Sequence, residues 1–225
     1  MDDNYQNYIN RVAGLTLPET YKSQFENILE SPKFKRSPEG QVEAAPFPGY
    51  SVVTPPRKED TENASFYANL EQCQKQLSEL LDDGMMVPIP GETFHITIAD
   101  LIWENAFLDA RSKNPDFEEK LRSRIRESFS KCQPELKQGA KFGWQILGIM
   151  VRSRAIAVCL LPRDQSSYDR ILQVRRSLYQ NPELIALGIE QQYNLTAHVT
   201  LGYFTKTPEK LDGDRFAEGL SKIND

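Results

Sequence analysis

Two histidines are the residues of this chain whose type and surroundings point most directly to chemistry. They are the only histidines among its 225 residues. One lies in Thr93-Phe94-His95-Ile96-Thr97-Ile98 and the other in Thr196-Ala197-His198-Val199-Thr200-Leu201. Both segments therefore read Thr, apolar, His, apolar, Thr, apolar, and they stand 103 positions apart. The repetition indicates an internal duplication rather than a chance similarity.

The alternation in the repeated segment predicts its geometry. Successive side chains of a β-strand point to opposite faces, so the Thr-His-Thr set faces one side and the apolar set faces the other. We expect the apolar side to pack on helices and the two polar faces to form opposite walls of one groove. Each wall would carry one imidazole and its threonine hydroxyls.

A groove with one imidazole on each wall suits reactions at a phosphodiester. In-line displacement places the attacking and leaving oxygens on opposite sides of phosphorus, so an acid and a base must face each other. Imidazole can fill either role because its unperturbed pKa is about 6.5. Threonine hydroxyls can donate to the non-bridging phosphate oxygens. This chemistry requires neither metal nor cofactor, and the repeated motif leaves open which histidine is the acid.

Other chemistries have weaker support in the sequence. A metal site would need carboxylate ligands beside the histidines, and strict alternation places Asp100 on the opposite face from His95. We therefore predict no metal site. A nucleophilic pair of Cys159 with a histidine stays open, although it leaves the duplicated threonines unexplained. The sequence contains neither a P-loop nor a serine-hydrolase elbow.

The paired motifs resemble the signatures of the two-histidine (2H) phosphoesterase superfamily. His95-Ile96-Thr97-Ile98 and His198-Val199-Thr200-Leu201 match its two tetrapeptides, and the layout is similar from about residue 49 to residue 204. The resemblance implies a bilobal α+β fold with a central groove and metal-free action on 2′,3′-cyclic phosphates, 2′-5′ linkages or related small phosphoesters. It also implies a catalytic set of His95, Thr97, His198 and Thr200. The leader and the loops around residues 109–119 look closer to an uncharacterised bacterial branch than to the RNA-ligase-related branch.

The strands and helices predicted around these residues indicate an α+β protein of two pseudo-symmetric lobes. We expect antiparallel sheets to surround a central groove and the helices to lie outside. Residues 1–48 are predicted to be an N-terminal extension, a helix plus a proline-rich loop that wraps the domain. Residues 49–225 form the bilobal domain, with lobes at about 49–135 and 136–225. Helices are predicted at about 63–81, 117–132, 164–179 and from 207, and strands at 49–54, 85–90, 93–103, 142–151, 155–161 and 195–204.

Three further residues are candidates for holding the substrate. Tyr50 opens the first strand and is a candidate contact to a nucleobase. Arg152, beside Arg154 at a hairpin tip, can bind phosphate through two parallel hydrogen bonds. Counting by twos along the second motif strand reaches Phe204, and along the first strand Trp103, either of which can stack on a base. Each of these residues has a plain structural alternative as a solvated turn charge or a core side chain.

Composition narrows the function class. Lys and Arg number 27 against 32 Asp and Glu, a net charge of -5, so the overall field does not favour duplex DNA or acidic membranes. With no apolar run of membrane-spanning length, no secretory leader and three scattered cysteines, we expect a cytoplasmic protein. The resulting hypothesis is a monomeric, metal-independent and cofactor-free phosphodiesterase that acts on a small nucleotide or RNA end. The alternatives are a non-catalytic nucleotide or RNA-end binder using the same groove, and a hydrolase of cyclic oligonucleotide signals.

Overall fold

The computed structural model describes residues 2–136 and 143–225, with side chains for all of these except residues 133–136. It is a mixed fold of helices and three sheets, and within the described residues every neighbouring strand pair is antiparallel. This agrees with the predicted α+β class.

The N-terminal part contains more regular structure than the sequence predicted. It consists of the helices α1 (Tyr5–Gly14) and α2 (Pro18–Phe25) and a hairpin of β1 (Phe34–Arg36) and β2 (Val42–Ala44). Helix α1 was not predicted, yet Asn4 caps it by accepting the backbone N–H of Asn7 at 2.8 Å. Tyr8, Val12 and Tyr21 are fully buried. The first two helices therefore belong to the hydrophobic core.

A two-stranded sheet carries the first motif. It pairs β3 (Gly49–Val53) with β5 (Thr97–Trp103), and short 3₁₀ turns at Arg57–Glu59 and Gly91–Thr93 lie between them. The predicted strand at 93–103 begins four residues late, so His95 stands just before β5. The helices of this half are α3 (Ala64–Leu80), α4 (Glu104–Lys113) and α5 (Phe117–Leu136); α4 was not predicted.

A four-stranded sheet carries the second motif. Its spatial order is β4, β8, β7, β6, with bounds of Met86–Pro88, His198–Phe204, Ala155–Pro162 and Trp144–Arg152. Strand β4 comes from the predicted first lobe but forms the edge of this second sheet. The predicted start of β6 at Phe142 lies outside the described residues. The remaining helices are α6 (Gln165–Tyr179), α7 (Pro182–Ile185) and α8 (Gly213–Asn224).

The last helix begins later than the predicted start at Thr207. The reason is Asp82, whose Oδ2 accepts the backbone N–H groups of Glu209, Lys210 and Leu211 at 2.8, 2.9 and 3.2 Å. These bonds hold the segment as a turn against the loop after α3. Asp212 then caps α8 by accepting the backbone N–H of Arg215 at 2.9 Å.

The helices of the described ranges include none long and apolar enough to cross a membrane. Their buried faces pack instead on the sheets in one hydrophobic cluster, which includes apolar residues of both motif segments: Phe94, Ile96 and Ile98 from the first, and Ala197, Val199 and Leu201 from the second. The apolar half of each motif therefore anchors it in the core, as the alternation predicted.

Gly49 lets β3 approach the end of β5 closely. A Cβ atom at this position would meet the backbone oxygen of Ile102 and lie 2.6 Å from the Cα of Trp103. Backbone atoms cannot yield as a flexible side chain can, so we expect Gly49→Ala to lower the free energy of unfolding by about 1–3 kcal/mol. Urea denaturation checks this. Gly14→Ala is the control, because a Cβ there meets nothing within 4 Å; equal stability of the two variants would contradict the packing argument.

Candidate active site

All four motif residues line one cavity of about 360 Å³. His95 and Thr97 reach it from the start of β5, and His198 and Thr200 from β8. All four side chains are half-buried. Both sheets contribute further lining residues, among them Ser51 and Val53 from β3 and Ala155 from β7. The structure thus brings the two repeated segments together at one place.

The two histidines have the same hydrogen bond. His95 Nδ1 lies 2.7 Å from the carbonyl oxygen of Thr93, and His198 Nδ1 lies 2.6 Å from the carbonyl oxygen of Thr196. A carbonyl oxygen can only accept, so each Nδ1 carries the proton and donates. In the neutral ring, Nε2 then holds the free lone pair. Each imidazole is therefore oriented to exchange a proton through Nε2.

A β-bulge follows each motif at the same point of the repeat. Ile98 has no cross-strand partner, because Ala99 pairs with Val52 and Thr97 with Val53. Leu201, which is 103 positions later, is likewise skipped between Gly202 and Thr200 where β8 pairs with β7. A bulge adds one residue to one strand and reverses the facing of the residues after it. The duplication thus extends from the sequence motif into backbone geometry.

The first bulge corrects the position predicted for Asp100. Strict alternation placed this carboxylate on the face opposite His95, but the extra residue turns it into the same cavity. Ser51 donates a hydrogen bond to Asp100 Oδ1 at 2.5 Å. The cavity therefore holds a carboxylate that sequence reasoning excluded.

The second bulge corrects the position predicted for Phe204. Counting by twos from His198 predicted that this ring faces the substrate, whereas it is fully buried in the core. Its neighbour Tyr203 lines the cavity instead. Tyr203 and Asp100 occupy equivalent positions of the two repeats, and the same backbone irregularity explains both differences.

Tyr50 and Trp103 also lie away from the cavity. The Tyr50 hydroxyl donates to Glu118 at 2.6 Å and accepts from Arg122 at 2.9 Å, so it holds α5 against β3. Its ring contacts Phe107 with centroids 5.9 Å apart. Trp103 ends β5 at the start of α4. Both aromatic residues therefore have structural positions, which is the alternative to substrate binding stated for them above.

Cations gather at one end of the cavity. Arg152, the last residue of β6, and Arg154, in the turn that follows it, line this end. Lys33, from the N-terminal extension, lines it too. Nothing in the sequence indicated Lys33, because it lies outside the duplicated part of the chain.

The pKa of His198 falls to about 4. Burial of the ring is the main cause, and the positive field of Arg152 and the neighbouring His95 add to it, while the hydrogen bond to Thr196 and the charge of Asp100 act in the opposite direction. His198 is therefore neutral at neutral pH, with Nε2 free to accept a proton.

This shift links stability to pH. Between about pH 6.5 and pH 4 the unfolded chain binds a proton at residue 198 that the folded chain does not, so stability decreases as pH falls through this window. We expect the folded protein to lose up to about 3 kcal/mol from this group alone. The measurement is urea unfolding at pH 7 and pH 4.5 for the unaltered protein and for His198→Gln. The unaltered protein should lose more stability than the variant, and parallel losses would contradict the assignment.

Buried charges hold the loop that leads into the second motif. Arg175 is 1% exposed; its Nη2 donates to Tyr193 O at 3.0 Å and its Nη1 donates at 2.5 Å to the carbonyl oxygen of Ile98, the last residue of the first motif. Its partner is Asp2, whose Oδ2 lies 2.9 Å from Arg175 Nε and whose Oδ1 accepts the N–H of Leu195 at 2.6 Å. One guanidinium therefore connects the two motif segments.

Arg11 of α1 supports the same loop. Its Nη1 donates to Thr196 Oγ1 at 2.8 Å, and its Nη2 donates to Leu195 O at 2.5 Å. The hydroxyl of Thr93, the equivalent of Thr196, donates to Pro90 O at 2.7 Å. The first threonine of each motif thus makes contacts that shape the backbone before the histidine.

His95 also borders a second cavity of about 480 Å³. Its walls include the rings of Phe66, Tyr67 and Trp144 and the side chain of Arg163. His95 therefore stands between a cavity with cations at one end and a cavity with aromatic walls.

The structure does not support a nucleophilic pair of Cys159 with a histidine. Cys159 is fully buried, and burial raises the pKa of its thiol to about 11, which keeps it protonated at neutral pH and unsuited to nucleophilic attack. Across residues 2–132 and 143–225, whose side chains the structure describes, no three His, Cys, Asp or Glu side chains are grouped to hold a metal ion.

No protein-family model matches this chain. No curated protein sequence matches it either. The repeated motif, the paired bulges and the cavity that they share therefore define the candidate site.

Proposed function

We propose that this protein is a metal-independent phosphodiesterase of the 2H type, acting on a nucleoside 2′,3′-cyclic phosphate or a 2′-5′ linked nucleotide. The observation that carries the proposal is the convergence of two equivalent segments on one cavity, each with the same His-Thr spacing, the same Nδ1 hydrogen bond and the same bulge. In this proposal the two sheets form pseudo-symmetric lobes around a central groove.

Different roles follow for the two histidines. His198, neutral at physiological pH, takes the proton of the attacking water through Nε2. The imidazolium form of His95 donates its Nε2 proton to the departing ribose oxygen on the opposite side of phosphorus. The hydroxyls of Thr97 and Thr200 donate to the non-bridging oxygens, where negative charge increases in the transition state. The water oxygen forms the new bond to phosphorus as the bond to the ribose oxygen breaks.

The second cavity supports a nucleotide as the substrate. Phe66 and Trp144 are half-buried rings beside His95, and such rings stack on bases without regard to sequence. A base bound there would place its ribose next to His95. This arrangement suits protonation of the leaving ribose oxygen by that residue.

The proposal is tested by product analysis. The purified protein is incubated with excess EDTA and each of the four nucleoside 2′,3′-cyclic phosphates or a 2′-5′ linked dinucleotide, and the products are separated by chromatography. We expect one monophosphate isomer to accumulate, since an ordered acid and base favour one leaving oxygen. Saturable binding without turnover of any of these compounds would instead support a nucleotide-binding protein.

A further inference from the structure

We propose that Lys33, Arg152 and Arg154 bind a second phosphate group of the substrate, apart from the phosphodiester held by the histidines. This inference rests on the proposed function and specifies its substrate as a ribonucleotide with a phosphate on the 5′ side of the reacting ribose. We refer to these three residues as the cation cluster.

The N-terminal extension places Lys33 at the cavity through its backbone. Leu29 N–H donates to Ser153 O at 2.6 Å, and Ser31 N–H donates to Phe204 O at 2.7 Å. Two residues later, Lys33 Nζ donates to the Tyr203 hydroxyl at 2.8 Å and lies 4.6 Å from the centre of that ring. The ammonium is therefore held over the cavity wall rather than left to extend into solvent.

The cation cluster carries positive charge that the cavity does not neutralise. Among the described residues, none of its three members forms an ion pair with a carboxylate. The one acidic side chain in the described lining is Asp100, which is bonded to Ser51. These three cations against the one carboxylate leave a local excess of two positive charges, which in a chain of net charge -5 indicates an anionic ligand. Lysine and arginine together are the usual donors to phosphate oxygens.

Strand register separates the cation cluster from the histidines. His198 lies opposite Cys159 of β7, whereas Tyr203 lies opposite Ala155, four residues away. At about 3.3 Å per residue, the two positions are about 13 Å apart along the sheet. The charge of Arg152 reaches His198, but a single phosphate held between His95 and His198 is too small to contact Lys33 beside Tyr203 as well. A second phosphate joined through the ribose can reach the cation cluster.

The experiment compares three substrates that end in the same 2′,3′-cyclic phosphate. They are adenosine 2′,3′-cyclic phosphate, its 5′-phosphorylated form, and a dinucleotide with a free 5′ hydroxyl, whose internucleotide phosphate occupies the 5′ position. At fixed low salt we expect kcat/KM at least about tenfold higher for one or both of the longer substrates. A preference for the 5′-phosphorylated mononucleotide alone identifies a terminal phosphate, and a preference for the dinucleotide alone identifies an RNA end.

Variants assign the preference to the cation cluster. Lys33→Gln and Arg154→Gln should each lower the preference for the longer substrate, measured as its kcat/KM divided by that of adenosine 2′,3′-cyclic phosphate, by about fivefold or more. Lys35→Gln removes the same charge from an exposed lysine of the same hairpin, 3.8 Å from Glu43, and should leave the ratio unchanged. Equal kcat/KM for all three substrates, or a preference that survives Lys33→Gln, would overturn the inference.

A binding measurement separates this inference from the proposed function. Titration calorimetry of the protein with adenosine 2′-monophosphate and adenosine 2′,5′-bisphosphate should give at least about tenfold tighter binding of the bisphosphate. Tighter binding without turnover of any cyclic phosphate supports the phosphate site while contradicting the phosphodiesterase proposal. Equal affinity for the two compounds, together with turnover of a cyclic phosphate, supports the phosphodiesterase proposal and contradicts the phosphate site.

Discussion

Replacing either histidine with alanine should lower kcat on the best substrate found by product analysis by at least about 100-fold, the scale of general acid or base catalysis. In the proposed mechanism, His198→Ala removes the neutral imidazole that accepts the proton of water, and His95→Ala removes the donor to the leaving oxygen. Because both groups act in the same transition state, the double variant should be little slower than the slower single variant. Steady-state kinetics of the three variants checks this expectation.

The pH dependence distinguishes the two roles. If His198 is the base, kcat/KM should be retained as the pH falls below 6 and decline only as the pH approaches about 4, the pKa of this group in the folded protein. Thr205→Ser is the control for a substitution on the same chain segment and should leave the pH dependence unchanged. Thr205 is buried, and its hydroxyl donates to Gly84 O outside the cavity. Full kcat in His198→Ala at an unchanged unfolding midpoint would refute its role as base.

Arg175→Met should lower the free energy of unfolding by about 3–5 kcal/mol, the cost of leaving one member of a buried ion pair without its partner. The side chain of Asp2 is 4% exposed, so its carboxylate cannot recover the lost interaction from water. The variant also removes the donors to Ile98 O and Tyr193 O, which leaves two carbonyl groups short of a partner. Urea denaturation at pH 7 measures the loss.

Arg176→Met is the control for Arg175→Met. It makes the same chemical change one position along α6, where the side chain is exposed, and should alter stability by no more than about 0.5 kcal/mol. The pair Asp2→Asn and Arg175→Met should be less destabilising together than the sum of the single changes, because each single change leaves a buried charge alone. Additive losses, or equal effects at positions 175 and 176, would contradict a buried ion pair.

The convergence of the motif residues could be predicted because it depends on residue type and short spacing. His95 and His198 each stand between apolar residues that must enter the core, and this requirement turns the imidazole and the following threonine the other way. No knowledge of the partner strands was needed. The same reasoning identified Arg152, since a turn between two apolar runs must lie at an edge of the sheet.

The face of the sheet on which Asp100, Tyr203 and Phe204 lie could not be predicted in the same way. A bulge is defined by how one strand pairs with its neighbour, and the residues opposite the bulges at Ile98 and Leu201 lie about 45 positions away in the chain. Both residues are ordinary apolar strand formers, so nothing in their type indicates the irregularity. Counting by twos was therefore valid as far as the second threonine of each motif and failed immediately after it.

Lys33 and Arg175 illustrate a second reason why parts of the site could not be predicted from the sequence. Their places depend on hydrogen bonds between distant segments, such as that of Ser31 N–H to Phe204 O and that of the Arg175 guanidinium to Ile98 O. Isolated charged residues of this kind are usually solvated, and the sequence contains 27 lysines and arginines. Only the assembled chain distinguishes the few cations that line the cavity or hold its walls.

The ion pair between Asp2 and Arg175 has a consequence for how the protein folds. It joins residues 173 positions apart, and Arg11 reaches Thr196 across 185 positions, so the second motif is held by contacts with nearly the opposite end of the chain. Contacts of such separation close large loops and form slowly compared with local helices. The apolar helices can form early, whereas the loop before His198 acquires its final shape only when the first helix docks. We therefore expect the final arrangement of the candidate site to be one of the last features that folding completes.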